Sequence, residues 1–272
     1  MLKTISRVLC GLVVAATLAA CGASETVPIT GRKHRLLVSD SEILGLSTQE
    51  YTKYMQTAKP STNKTNTAMV QRVGQKLATA VETYLRGHGY AAEVQNFKWE
   101  FNLVQDKQVN AFCMPGGKIV VYEGILPVTQ DENGLAIVLG HEIAHAVAKH
   151  SAEQMSKQQR AKMGSQVIGS LATSGVMGPN TASTVGSLYG LGSNLAQLKY
   201  SRSNESEADY MGLVFAAMAG YDPNGAIAFW QRMASLSGGS SQPSFLSTHP
   251  SDAKRISDLQ ARMPEAMKYY KK

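Results

Sequence analysis

Cysteine is scarce in this chain: there are three in 272 residues, at positions 10, 21 and 113. Cys10 and Cys21 fall within and at the edge of an apolar N-terminal leader, which leaves Cys113 alone in the remainder. A lone cysteine cannot close an internal disulfide, so the fold must be held by its core. Cys113 lies in the apolar segment NAFCM, with no histidine placed to activate it, and reads as a small buried hydrophobe rather than a nucleophile. Charge of one sign is not dominant either: 27 Lys and Arg stand against 20 Asp and Glu. The basic excess is scattered and not interleaved with aromatics, so nucleic-acid binding finds no support. No internal repeat is visible, and the length suits one well-packed domain while being short for two.

What is present begins with the leader. Lys3 and Arg7 precede an apolar run, Val8 to Ala20, that is too short to span a bilayer comfortably. A positive start, an apolar middle and small residues at the end predict a signal peptide over residues 1–20. The run ends Leu18-Ala19-Ala20-Cys21-Gly22, which resembles the cleavage box of bacterial lipoproteins. That resemblance implies a lipidated Cys21 and a protein held on the periplasmic face of a membrane. Gly22 is not the aspartate that retains some lipoproteins in the inner membrane, which points to the outer one. Residues 21–65 are polar and read as a tether followed by a first helix, SDSEILGLSTQEYTKYMQ; the remaining domain spans 66–272.

In that domain Met69, Val73, Leu77, Val81 and Leu85 recur every four residues, predicting an amphipathic helix over 67–85. Three strand-like runs follow, at 98–104, 110–114 and 118–124. The last two are joined by Pro115-Gly116-Gly117 and read as a hairpin. Thr129-x-x-Glu132 is a capping-box pattern for a helix that continues through GHEIAH to about Arg160. Residues 161–198, rich in Gly, Ser, Ala and Met, read as helical pieces forming a flap over a groove. Further helices are predicted from Ser203 to Gly220, over 224–236, and from a Ser251 cap to Met263. The class is α+β, mostly helical with a small sheet.

The chemistry concentrates in GHEIAHAVAKH, residues 140–150. At about 100° per residue, His141 and His145 differ by roughly 40° and project from one helix face, with Glu142 flanking it. This is the geometry in which two histidines hold Zn²⁺ and a glutamate serves as general base. His150 lies roughly 180° from His141 on the same wheel and is assigned to capping or packing elsewhere. The extended motif, with a glycine and a third histidine, is excluded by Ala148 and Ser151. A third ligand must come from farther along the chain, and NESEAD, residues 204–209, is the best candidate. Glu205 and Asp209 share a face, so Glu205 is the expected ligand and Asp209 the carboxylate that receives a ligand histidine's other N–H. Glu207 is turned roughly 160° away from Asp209 and is read as a surface charge.

GHEIAH followed some sixty residues later by ESEAD resembles the M48 family of zinc metalloendopeptidases. VPITGR, NAFCMPGGKIVVYEGIL and STHPSDAKRI are similar to other family segments, so the likeness runs from about residue 27 to the end. The resemblance implies a gluzincin-like zincin fold, one Zn²⁺ per chain on His141, His145 and Glu205, and Glu142 as base. It implies that Asn110, Ala111 and Phe112 lie on an edge strand that holds an extended peptide by strand addition. It also implies a role for His249 beside the site, as oxyanion donor or in zinc's open position, and a pairing of Arg255 with nearby acids. The substrates would be misfolded or unassembled envelope proteins. A different class is a chaperone or binding lipoprotein whose zinc site is structural or held shut, and a purely structural site would have no need of Glu142.

Overall fold

The computed structural model describes residues 23–172, 195–236, 243–249 and 254–271. The predicted signal peptide, Cys21 and most of the predicted flap, 173–194, lie outside the described residues. No helix among the described residues is long and apolar enough to cross a membrane.

The chain enters through an antiparallel pair, β1 (Ala23–Thr26) and β2 (Lys33–Leu36), in which Ala23 opposes Leu36 and Thr26 opposes Lys33. The turn between them is closed by the Val27 N–H on the Arg32 carbonyl at 2.8 Å. Val27 is buried in the main core, and Leu36 and Val38 pack with Ile43 and Met155. The segment read as a tether thus packs into the fold, with Val27 and Ile29 against the main core and Leu36 and Val38 in a second apolar cluster. Ser39 then caps α1 (Asp40–Thr57) in a reciprocal capping box with Glu42. The amphipathic helix α2 (Lys64–Gly87) buries Val70, Val73, Leu77, Val81 and Leu85, while Met69 is only partly covered.

The three strand-like runs form one sheet of β3 (Glu100–Val104), β4 (Ala111–Met114) and β5 (Lys118–Tyr122) in the order β3-β5-β4. The predicted hairpin is present as the antiparallel β4–β5 pair, and β3 joins β5 in parallel. Strand alternation divides the side chains between two apolar layers. Phe101, Leu103, Ala111, Cys113, Ile119 and Val121 face the main core. Val104, Phe112, Met114 and Val120 meet Tyr51, Tyr54 and Met55 of α1. Covered on both faces, the strands carry almost uninterrupted apolar sequence.

A short turn of helix, α3 (Leu126–Thr129), precedes the central helix α4 (Glu132–Val147). The Thr129 capping box does not form. Gln130 at φ 67° ends α3, and Asp131 caps α4 by accepting the Gly134 N–H. Helix α4 is buried along almost its whole length, as a helix apolar on all sides must be. It does not continue to Arg160. It stops at Ala148, Lys149 turns the backbone at φ 54°, and α5 (His150–Ala172) starts in a new direction. Lys149 is held in that conformation by Glu25, Asp40 and Glu93, at 2.8, 2.8 and 3.0 Å. Against α4 lies α6 (Arg202–Met218), capped by Ser201 on the Asn204 N–H. The helices α7 (Gly225–Ser235), α8 (Ser244–Thr248) and α9 (Arg255–Ala266) close the core on that side. The result is a mostly helical α+β domain of zincin type, with the HExxH helix between a small sheet and α6.

Candidate metal centre

The centre is built where α4 and α6 cross. Gly140 and Gly212 face each other there: a Cβ on Gly212 would stand 2.8 Å from the His141 backbone nitrogen. This close approach carries His141 and His145 from α4 to Glu205 from α6. His141 Nε2 and His145 Nε2 are 3.1 Å apart. Glu205 lies 3.5 Å from the first through Oε2 and 3.3 Å from the second through Oε1. His249, just past α8, adds Nδ1 at 3.3 Å from His141 Nε2 and 3.2 Å from Glu205 Oε1.

These four side chains are buried and offer ligand atoms that all lie within 4.8 Å of one another. A tetrahedral zinc ion with bonds of about 2.0–2.1 Å needs donor–donor separations of roughly 3.3–3.4 Å. The observed separations of 3.1–3.5 Å bracket that edge, and the nitrogen and carboxylate donors are zinc ligands by type. The residues therefore fit the ion. Burial opposes ionisation of Glu205, but His249, His141 and His145 hold its pKa far below the usual carboxylate range.

Each side chain is oriented from behind. His141 Nδ1 sits 2.9 Å from Asp209 Oδ1, so the Asp209 of the sequence reading stands where a ligand histidine needs its second partner. Burial works against charge on His141, yet Asp209 and Glu205 raise its pKa. Arg255 in turn donates to Asp209 at 2.7 Å and to Glu205 at 3.4 Å, with its guanidinium 3.3 Å above the Trp230 ring. Tyr200 stacks on His145 at a centroid distance of 4.1 Å. Trp230 carries no sequence signal beyond an aromatic in an apolar run, and Tyr200, between Lys199 and Ser201, carries none.

Glu142 is buried beside the cluster. Its Oε2 accepts the Cys113 backbone N–H at 3.1 Å, while Oε1 makes no hydrogen bond. Burial raises its pKa. Oε1 lies 3.4 Å from His249 Nε2. Cys113 itself is a buried free thiol, pushed well up in pKa by burial.

Two assignments from the helical wheel do not hold. Glu207 is buried rather than a surface charge: it takes hydrogen bonds from Thr30 at 2.6 Å and Arg32 Nε at 2.8 Å, and contacts His150 Nε2 at 3.0 Å. His150 is no bystander, since its Nδ1 meets His145 Nδ1 at 2.9 Å. The wheel fails because α4 ends before His150, so the two histidines belong to different helices. The edge-strand reading also shifts. β4 is an edge strand, but Asn110 precedes it and gives its carbonyl to the Tyr122 N–H. By alternation Phe112 bonds toward β5, so Ala111 and Cys113 are the residues whose backbone faces outward.

Comparison with known proteins gives the family. The profile of Peptidase family M48 matches residues 64–263. The Mitochondrial metalloendopeptidase OMA1 of Schizosaccharomyces pombe is 40% identical over 174 residues, 64% of this chain and 49% of that protein. The human Metalloendopeptidase OMA1, mitochondrial, is 32% identical over 251 residues, 90% of this chain and 47% of its own. The Putative beta-barrel assembly-enhancing protease of Vibrio cholerae is 34% identical over 186 residues, 65% of this chain and 37% of its own. The chain spans about half or less of the length of these curated relatives. With the profile covering most of its length and the metal cluster inside it, the chain belongs to Peptidase family M48, whose members use zinc.

Proposed function

We propose that this chain is a zinc metalloendopeptidase in which His141, His145 and Glu205 hold one Zn²⁺ and Glu142 is the general base. Zinc, when bound, lowers the pKa of water to about 7 and polarises the scissile carbonyl. The observation that carries the reading is Glu142. One of its oxygens is tied to the Cys113 N–H, which aims the uncommitted Oε1 along the metal cluster. That oxygen takes a proton from the attacking water and passes it to the leaving amine. A carboxylate raised in pKa by burial accepts the proton more readily than a solvated one would. Asp209, steadied by Arg255, holds His141 with Nε2 toward the metal. The outward backbone of Ala111 on β4 supports an extended substrate by strand addition.

The substrates are polypeptides, and the leader with its Cys21 box supports misfolded or unassembled envelope proteins reached from a lipid anchor on the periplasmic face of the outer membrane. One observation favours a second state of the same site. His249 stands at ligand distance from Glu205 and His141 and 3.4 Å from Glu142, which is the arrangement of a shut or structural centre. The test is zinc stoichiometry together with casein hydrolysis. Wild type should carry one zinc, Glu205→Gln should lose it, and Glu142→Gln should keep zinc while losing about 10²–10⁴-fold of activity. Zinc-loaded wild type with no casein activity that gains it as His249→Ala would establish the shut state. Full activity in Glu142→Gln would refute the enzyme reading.

A further inference from the structure

Behind His145 lies a connected polar network that runs from buried His150 and Glu207 to half-buried Thr30 and Arg32. Glu207 receives Thr30 Oγ1 on Oε1 at 2.6 Å and Arg32 Nε on Oε2 at 2.8 Å. His150 Nε2 approaches the same Oε2 at 3.0 Å, and His150 Nδ1 meets His145 Nδ1 at 2.9 Å. His150 is completely buried.

Hydrogen-bond bookkeeping leaves one arrangement. An ionised carboxylate can only accept, so His150 Nε2 must carry a proton and donate it to Glu207. A neutral imidazole with hydrogen on Nε2 has a bare Nδ1, which can only accept. His145 must therefore donate from Nδ1, and its Nε2 lone pair is left facing His141 and Glu205. The contacts agree: Thr30 and Arg32 both donate to Glu207, which marks it as an acceptor, and a His145 Nε2 that faces the ligand cluster must be bare to bind a metal, which leaves that ring's hydrogen on Nδ1 and requires a bare Nδ1 on His150.

We infer that Glu207 and His150 form a positioning relay for His145, and that Thr30 and Arg32, in the turn of the N-terminal hairpin, hold the relay's carboxylate. The two zinc histidines are thus set by different devices. His141 faces its carboxylate, Asp209, directly, whereas His145 reaches Glu207 through a second imidazole. Arg32 also donates to Glu153 of α5 at 2.8 Å, so the hairpin turn clamps α5 and α6 at the point where the relay passes between them. Zinc affinity consequently depends on a segment more than a hundred residues before the two zinc histidines of α4. The inference rests on His145 being a zinc ligand, as proposed above.

The test uses the full chain loaded with zinc and labelled with ¹⁵N-histidine. Long-range ¹H–¹⁵N correlations should show His145 protonated at Nδ1 and His150 protonated at Nε2 with a bare Nδ1. His150 carrying its proton on Nδ1 would overturn the relay, and this reading requires no variant to fold. Chelator competition then measures zinc affinity. His150→Leu should bind zinc about 10–100-fold more weakly, the usual effect of losing a group that orients a metal ligand. His150→Gln, whose side-chain carbonyl can still accept the His145 proton, should recover most of that loss, which a merely packing role would not require. Thr30→Val should weaken zinc in the same direction by less. A folded His150→Leu protein within twofold of wild type would overturn the relay alone. Wild type without zinc, or His145→Ala that retains it, would instead bring down the ligand assignment on which the relay stands.

Discussion

Adding one methyl group at Gly212 tests whether the helix crossing sets the metal geometry. A Cβ at that position meets the His141 nitrogen at 2.8 Å and Gly140 carbonyl carbon and His141 Cα at 3.1 Å, all backbone atoms that no rotamer change can move. Ordinary contact begins near 3.4 Å, so α4 and α6 must part by about 0.6 Å at the crossing. His141 and His145 ride on one helix and Glu205 on the other, and metal ligands tolerate only about 0.2 Å of displacement. Overpacking should cost about 1–3 kcal/mol, offset by roughly 1 kcal/mol of improved helix propensity. Gly212→Ala should therefore melt only slightly below wild type when both are metal-free, while its zinc affinity falls about tenfold or more. Gly45→Ala is the control: it sits in α1 with nothing within 4 Å of its added Cβ, and should leave zinc affinity unchanged. The assay is chelator competition alongside thermal melting in the presence of EDTA. A Gly212→Ala protein with wild-type zinc affinity would refute the view that this crossing sets the ligand spacing.

Two further predictions concern the supports of the centre. Lys149→Met keeps the side-chain stem but releases Glu25, Asp40 and Glu93, and should lower stability by about 1–3 kcal/mol in denaturant unfolding. A loss under 0.5 kcal/mol would mean that these partly exposed acids are satisfied by water. Burial opposes ionisation of Glu153, but His34, Arg32 and Lys157 hold its pKa far below the ordinary range. A depressed folded-state pKa contributes stability that is present above the unfolded value and lost as pH falls below it. Glu153→Gln should therefore be clearly less stable than wild type at pH 7, with the gap narrowing as pH drops from about 5 toward 3. A gap that stays constant over that range would show that the charge of Glu153 is not what matters.

Much of the centre was readable from spacing. His141 and His145 lie on one uninterrupted helix, so a four-residue interval fixes their common face whatever surrounds them. The same holds for Glu205 and Asp209 on α6, and for the apolar face of α2. The β4–β5 hairpin was readable because Pro115-Gly116-Gly117 turns the chain locally. Where reading failed, a local feature had been carried across a break. The capping box at Thr129 was overridden by Gln130, and the helical wheel was extended through Lys149, whose positive φ is held by three acids from distant segments.

The amino-acid sequence by itself determined the types of the candidate ligands, their spacing within each helix and the glutamate beside the first histidine, because a helix transmits direction over one or two turns without help. Tertiary structure alone decided that α4 and α6 cross at two glycines, that His249 lies within hydrogen-bond distance of Glu205, and that Glu207 is buried. Glu207 is covered because a hairpin from the start of the chain brings Thr30 and Arg32 to it. A wheel gives the angle at which a side chain leaves its helix, and cannot say what comes to meet it.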